Sequence, residues 1–350
     1  MAVSPPPLEI SPPLLNTANP SATDLGQLTA LYDCPHTGAV TTRTSLVAGF
    51  GHNPDVHQFA LFDTTPHDPA ASDAKTASLN NLGYSPLPLD QYLTFVKQIA
   101  SRSQAQTAAR KKGFLISVTG QPDDVAECYR RIAAAQRDLP DPNAVPLAME
   151  VNLSCPNIPN APPPAYNGSA LLAYLAALQD AIAAAAQDAH LPRIPIGFKT
   201  PPYTHAGQFA VLIDALRASA AAADSAGVCP ISFLTATNTL GSCLLLTSAS
   251  QSDQITPALP GTGIGGMAGA PLHPLALGNV ATLRRLLDAE PAVLGHIRIV
   301  GAGGVSDTAG FDRMKSVGAY AVGVGTALVI HGVDVFAQIS APGLEQNISK

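Results

Sequence analysis

The chain has 350 residues, 46% of them apolar and 13% charged, with a formal net charge of −6 and a pI near 5.8. That composition can bury a large core, and it excludes a chain disordered throughout and a basic face for nucleic acid or anionic lipid. Five scattered cysteines, Cys34, Cys128, Cys155, Cys229 and Cys243, form neither a CxxC pair nor a Cys/His metal spacing. They read as reduced intracellular thiols, with no metal centre and no Fe–S cluster.

In chain order, a proline-rich lead (1–13) comes first. It lacks the apolar core of a signal peptide and the arginines of a transit peptide. No run of eighteen apolar residues occurs outside alanine-rich helix candidates, so no membrane span is expected, and a cytoplasmic location is the default. Residues 113–120 (GFLISVTG) read as a buried strand, followed by a helix over 123–135. Further strands are expected at 148–152, 194–199, 231–238, 297–301 and 320–325, and further helices at 169–189, 205–222, 275–287 and 307–316. Strand and helix in alternation predict parallel sheet, and the number of repeats fits one domain over 1–350: an α/β (β/α)8 TIM barrel with its site at the carboxyl ends of the strands. Segments 101–112, 136–145 and 218–227 read as surface insertions, and 64–77 as a loop on the active-site side.

Chemistry-bearing residues gather where the apolar strands stop. Turns at 301–304 (GAGG) and 323–326 (GVGT), and a third glycine-rich stretch at 261–269, suit backbone N–H contact with a phosphate, or are simply tight turns. Lys199 ends a strand and either points a cation into the mouth or lies on the surface. Residues 152–157 (NLSCPN) place Cys155 between Asn152 and Asn157. Amides can read an imide edge, and a thiol with a modestly shifted pKa is a usable base; the alternative for Cys155 is a small packed residue.

At NLSCPN and at 197–203 (GFKTPPY) the sequence resembles the dihydroorotate dehydrogenases, most closely the soluble class 1A enzymes. Similar stretches run in the same order from about residue 8 to 340: 14–20 (LLNTANP), 38–54, 80–84 (NNLGY), 237–241 (TNTLG), Gly265-Gly266, Gly303-Gly304 and Gly325-Thr326. The resemblance implies FMN across the barrel mouth. Its contacts would be Thr17, Ala18, Arg43, Thr44, Asn152 and Lys199. Further cofactor contacts would come from Thr237, Gly265, Gly266, Gly303, Gly304, Gly325 and Thr326. It implies Cys155 as the base that takes a proton from dihydroorotate. Substrate contacts would come from Arg43, Asn80, Leu82, Gly83 and Tyr84, and from Asn152, Asn157, Asn238 and Thr239. It further implies orotate as product, fumarate as acceptor in a ping-pong cycle, pyrimidine biosynthesis as the setting and a homodimer, with no Fe–S partner subunit.

The chain departs from that pattern at Arg43, where the family has lysine, at Tyr84, where it has leucine, at Thr239, where it has serine, and after NLSCPN, where Pro-Asn-Ala-Pro-Pro stands at 159–163. A planar guanidinium is not equivalent to a compact ammonium. These departures motivate two other readings: an FMN barrel acting on another cyclic amide or enone, and a non-catalytic flavin-binding relative.

Overall fold

A computed structural model describes residues 4–65, 74–104, 111–154, 163–188, 191–222, 227–248 and 255–341. The first part of the chain forms β1 (Leu14–Asn16), α1 (Leu25–Asp33), β2 (Ala39–Thr41), β3 (Phe59–Phe62), β4 (Ala77–Asn80) and α2 (Leu89–Gln104). Three strand–helix units follow: β5 (Gly113–Val118) and α3 (Pro122–Arg137), β6 (Leu147–Asn152) and α4 (Gly168–Gln187), β7 (Ile196–Lys199) and α5 (Ala206–Ala220). Next come β8 (Phe233–Ala236), β9 (Leu240–Leu244), β10 (Leu246–Ser248), β11 (Ile255–Pro257), β12 (Ile264–Gly269) and α6 (His273–Asp288). The chain closes with β13 (Arg298–Ala302), α7 (Thr308–Ser316), β14 (Ala321–Val324), α8 (Thr326–His331) and α9 (Val335–Ser340).

Eight parallel strands close a barrel in the order β1-β14-β13-β8-β7-β6-β5-β2. The expected strands and helices from residue 113 onward are present, with no end shifted by more than two residues. Helix α4 is long and apolar enough to cross a membrane by length and composition alone. Here it packs between α3 and α5, and Leu171, Tyr174, Leu175 and Leu178 form its buried face.

Successive side chains of a strand point to opposite faces. On β5, β6 and β8, Phe114, Ile116, Leu147, Met149, Val151, Leu234 and Ala236 belong to the main core under the helices. The alternate set, Leu115, Ala148 and Phe233, packs with Leu15, Ala39, Val300 and Ala321 in a second cluster inside the barrel. Leu8 and Ile10 join that cluster, so the proline-rich lead plugs the amino end of the barrel. One pleat further toward the carboxyl ends, β5, β6, β7 and β8 carry Ser117, Glu150, Lys199 and Thr235, all buried. The barrel interior therefore turns from apolar to polar on the way to its mouth.

Over the mouth lies an antiparallel four-stranded sheet, β3-β4-β12-β9, around Phe62, Ala77, Leu79, Leu245 and Leu259. The glycine-rich stretch read as a turn at 261–269 is mostly strand β12. Its glycines permit close packing: a Cβ on Gly265 would lie 2.6 Å from the Asn80 carbonyl oxygen, and one on Gly266 would lie 2.2 Å from Thr239 Oγ1. Two segments read as surface insertions carry buried anchors. Lys112 Nζ donates to the carbonyls of Leu31 and Cys34 at 2.8 and 2.9 Å, and Gln136 Nε2 donates to the Pro142 carbonyl at 3.0 Å. Of the stretch at 64–77, residues 74–77 lead into and begin β4; 66–73 lie outside the described residues.

Gly197 lets the barrel interior fill. A Cβ there would stand 2.3 Å from the Phe233 ring, and Phe233 is fully buried. Overpacking of this kind costs roughly 1–3 kcal/mol. Gly197→Ala is expected to lower stability by that amount in urea unfolding, with an unchanged m-value.

Candidate active site

The polar end of the barrel opens into a cleft of about 1200 Å³ under the four-stranded sheet. Glu150 organises its floor. The side chain is 2% exposed, and its two oxygens accept from different hydroxyls: Ser117 Oγ–H at 2.9 Å and Thr235 Oγ1–H at 2.6 Å. A carboxylate only accepts, so it sets the direction of everything bonded to it. Ser117 spends its proton on Glu150 and must accept from Thr44 Oγ1, 2.9 Å away. Thr44 in turn accepts from Asn152 Nδ2 at 3.3 Å. The donor sequence Asn152, Thr44, Ser117, Glu150 therefore fixes which way the Asn152 amide faces.

The other end of that amide is equally constrained. Asn152 Oδ1 accepts from Ser154 Oγ at 2.7 Å, from Ser154 N at 3.2 Å and from Asn238 Nδ2 at 3.2 Å. Asn238 Nδ2 also donates to Ser154 Oγ, so both Asn238 amide hydrogens are committed, while its Oδ1 accepts from Thr239 N at 2.8 Å. Asn152 keeps one N–H for a ligand. Asn80, from β4, donates one N–H to the Gly266 carbonyl at 3.2 Å, and its second N–H and its Oδ1 have no protein partner among the described residues.

Lys199 is the cation of the floor. It is 4% exposed and forms no hydrogen bond or ion pair with the described residues. Burial pushes its ammonium below the ordinary lysine value, and the charge of Glu150 partly opposes that. Thr237 Oγ1, on the same floor, is buried without a partner. Two polar groups with unused bonding capacity in one cavity mark a place built for a polar ligand.

The walls come from several loops. Arg43 Nη2 donates to the Tyr84 carbonyl at 3.1 Å, and burial lowers the guanidinium pKa. Leu82, Gly83 and Tyr84 form the adjoining wall; Gly83 has φ +65°, and the Phe50 ring sits where its Cβ would be. Thr17, Ala18 and the turns Gly303–Gly304 and Gly325–Thr326 also line the cavity. Among the described residues the amides of Gly303, Gly304, Gly325 and Thr326 donate to no backbone acceptor. They lie free beside the cavity.

Almost every site residue expected from sequence and described here lines this cleft. Gly265 and Gly266 do not: they are packed against Asn80 and Thr239, and from the same strand Ala268 and Gly269 line the cavity instead. Cys155 and Asn157 lie outside the described residues. Glu150 and Ser117 were missed. The available signal was a charged residue within the otherwise apolar strand AMEVN, at a position facing the barrel interior. Phe59 of β3, also missed, lines the rim.

Residues 65–347 match the family model described as dihydroorotate dehydrogenase. The chain is 30% identical over 271 residues to the dihydroorotate dehydrogenase (fumarate) of Trypanosoma cruzi, covering 77% of this chain and 72% of that protein. It is 27% identical over 335 residues to the protein of the same name from Trypanosoma brucei brucei, covering 95% and 88%. A crystal structure of DHODH from Eimeria tenella in complex with ferulenol is similar in fold, with a TM-score of 0.63, 16% identity, and coverage of 93% of this chain and 79% of that one.

Glu150→Gln tests the floor. Unfolded, Lys199 returns to the ordinary value near 10.5; folded, it lies below it. Between the two the unfolded chain binds the extra proton, so stability rises with pH across that window. Removing the Glu150 charge lowers the folded value further and extends the rise to lower pH. Stability at pH 7 should fall by roughly 1–3 kcal/mol as the hydroxyl donors lose a charged acceptor. Urea unfolding at a series of pH values reads both effects, and a profile parallel to the wild type would contradict the assignment.

Proposed function

The chain belongs to the dihydroorotate dehydrogenase family, and we propose that it carries out the FMN-dependent oxidation of (S)-dihydroorotate to orotate, with fumarate as electron acceptor, in pyrimidine biosynthesis. The observation that carries this reading is the pairing, on one cavity floor, of a buried Lys199 ammonium without a protein partner and an Asn152 amide held with one N–H to spare.

The residues present suit flavin mononucleotide. The free amides of Gly303, Gly304, Gly325 and Thr326 offer donors to a phosphate. Lys199 and the unpartnered Thr237 hydroxyl offer a cation and a donor to the polar edge of the ring. Thr17, Ala18 and Thr44 flank that space, and Gly265–Gly266 let the covering sheet come close above it. When bound, FMN would supply the two-electron chemistry: hydride from C6 of dihydroorotate, and electrons to fumarate.

The protein's own part is to hold the substrate and move one proton. Asn80 offers a donor and an acceptor to the pyrimidine ring, and Asn152 adds a second donor of fixed direction. Asn157, with the wall at Leu82 and Gly83, completes the substrate contacts. Asn238 serves mainly by holding the Asn152 carbonyl end, and Thr239 braces Asn238. Arg43 supplies a cation near the substrate carboxylate, fixed by the Tyr84 carbonyl. Cys155 takes the C5 proton; it directly follows Ser154, whose amide and hydroxyl are both tied to Asn152. A homodimer in the cytoplasm completes the proposal, in keeping with the soluble class the sequence resembles.

The placement of Arg43 and Tyr84 side by side in the wall favours one other reading, a flavin barrel for a different cyclic amide or enone. Anaerobic mixing of the flavin-loaded protein with a panel of such compounds separates the two: dihydroorotate should bleach the flavin fastest. General base catalysis contributes roughly 10²–10⁴-fold, so Cys155→Ala should slow that bleaching by a factor in this range. An unchanged rate would remove Cys155 from the mechanism.

A further inference from the structure

The turn at Gly303–Gly304 is gripped from behind. His273, the first residue of α6, is 8% exposed, and its Nδ1 lies 2.7 Å from the Gly303 carbonyl oxygen. On the far side of the ring, Arg313 of α7 donates Nε–H to His273 Nε2 at 3.1 Å. A guanidinium only donates, so Nε2 must be the unprotonated nitrogen. The proton then sits on Nδ1 and is donated to Gly303. Arg313 thereby selects the tautomer, and the tautomer selects the orientation of the Gly303 carbonyl. That carbonyl belongs to the peptide whose N–H is that of Gly304. Because a peptide unit is planar and trans, fixing the oxygen toward His273 fixes the Gly304 N–H on the opposite side. Neither glycine can take a side chain here: φ is +143° at Gly303 and +69° at Gly304, and a Cβ on Gly304 would lie 2.6 Å from the Gly269 carbonyl oxygen and 2.8 Å from His273 Cβ.

We propose that His273, locked by Arg313 as the Nδ1–H tautomer, is a positioning residue that holds the Gly303–Gly304 peptide with its N–H presented to the phosphate of the cofactor. This rests on the reading of that turn as a phosphate site. Three elements meet in the device: the end of β13, the start of α6 and the middle of α7. Neither His273 nor Arg313 lines the cavity.

The test is a titration of the full-length apoprotein with FMN, riboflavin and inorganic phosphate. Flavin binding is followed by fluorescence quenching, and phosphate binding by ³¹P line broadening. His273→Phe keeps the ring volume and removes both bonds; it should reduce the preference for FMN over riboflavin about tenfold or more, the factor that 1.4 kcal/mol represents. Riboflavin affinity should stay near the wild-type value. Arg313→Met should move the same ratio in the same direction, and Arg313→Lys, which keeps a donor, should restore most of it. Arg313 is exposed, so its variants carry the test even if His273→Phe does not fold. An FMN-to-riboflavin ratio unchanged in both variants, or an equal loss for both flavins, would overturn the proposal. If the wild type bound phosphate but no flavin, and His273→Phe lost the phosphate, the positioning role would stand and the flavin reading would fall.

Discussion

The Glu150 carboxylate inside the barrel is the constraint from which the rest of the site follows. A buried charge must be hydrogen-bonded, and an acceptor-only group forces each neighbour to donate toward it. Ser117 and Thr235 do so directly, and Thr44 and Asn152 follow in turn. A chain of rotatable hydroxyls would otherwise be free to run either way. With Glu150 at one end, the Asn152 amide at the other end has a single orientation. The same charge partly opposes the effect of burial on the Lys199 ammonium. The mouth is thus preorganised by a group that does not line the cavity.

The fold supplies the setting by a gradient along its strands. Inward positions are apolar near the amino end, where Phe233, Leu115 and the lead residues Leu8 and Ile10 close the barrel. They become polar one pleat later, so that the strand ends present oxygen and nitrogen to the cleft. The antiparallel sheet above turns that open end into an enclosed space, and it approaches closely because Gly265 and Gly266 carry no side chains. The glycine turns after β13 and β14 have amides without a backbone acceptor among the described residues, and Asn80, Asn152 and Asn238 line the same cavity.

Much of this was legible in the sequence, for reasons that can be named. The barrel strands from residue 113 onward are short apolar runs bounded by glycine or polar residues, and their partner helices are long and regular. Site residues at strand ends, such as Asn152, Lys199 and Asn238, stand out because they interrupt those runs. The covering sheet was not legible. Its strands are four to six residues long, and β12 is half glycine, so it reads as a turn until tertiary packing is known. Lys112 and Gln136 look like solvent-facing residues in polar segments, yet each caps backbone groups in the interior. Glu150 was passed over because a lone carboxylate in a strand acquires meaning only from partners on β5 and β8. His273 and Arg313 stand forty residues apart, and their pairing exists only in three dimensions.

The account as a whole stands on one conversion. The purified, FMN-loaded protein, given dihydroorotate with fumarate as sole electron acceptor, should form one succinate for each orotate. Orotate and succinate measured together by chromatography decide the matter. Equal amounts of the two are the predicted result. No orotate, from a protein that reduces its flavin with some other cyclic amide or enone, would contradict it.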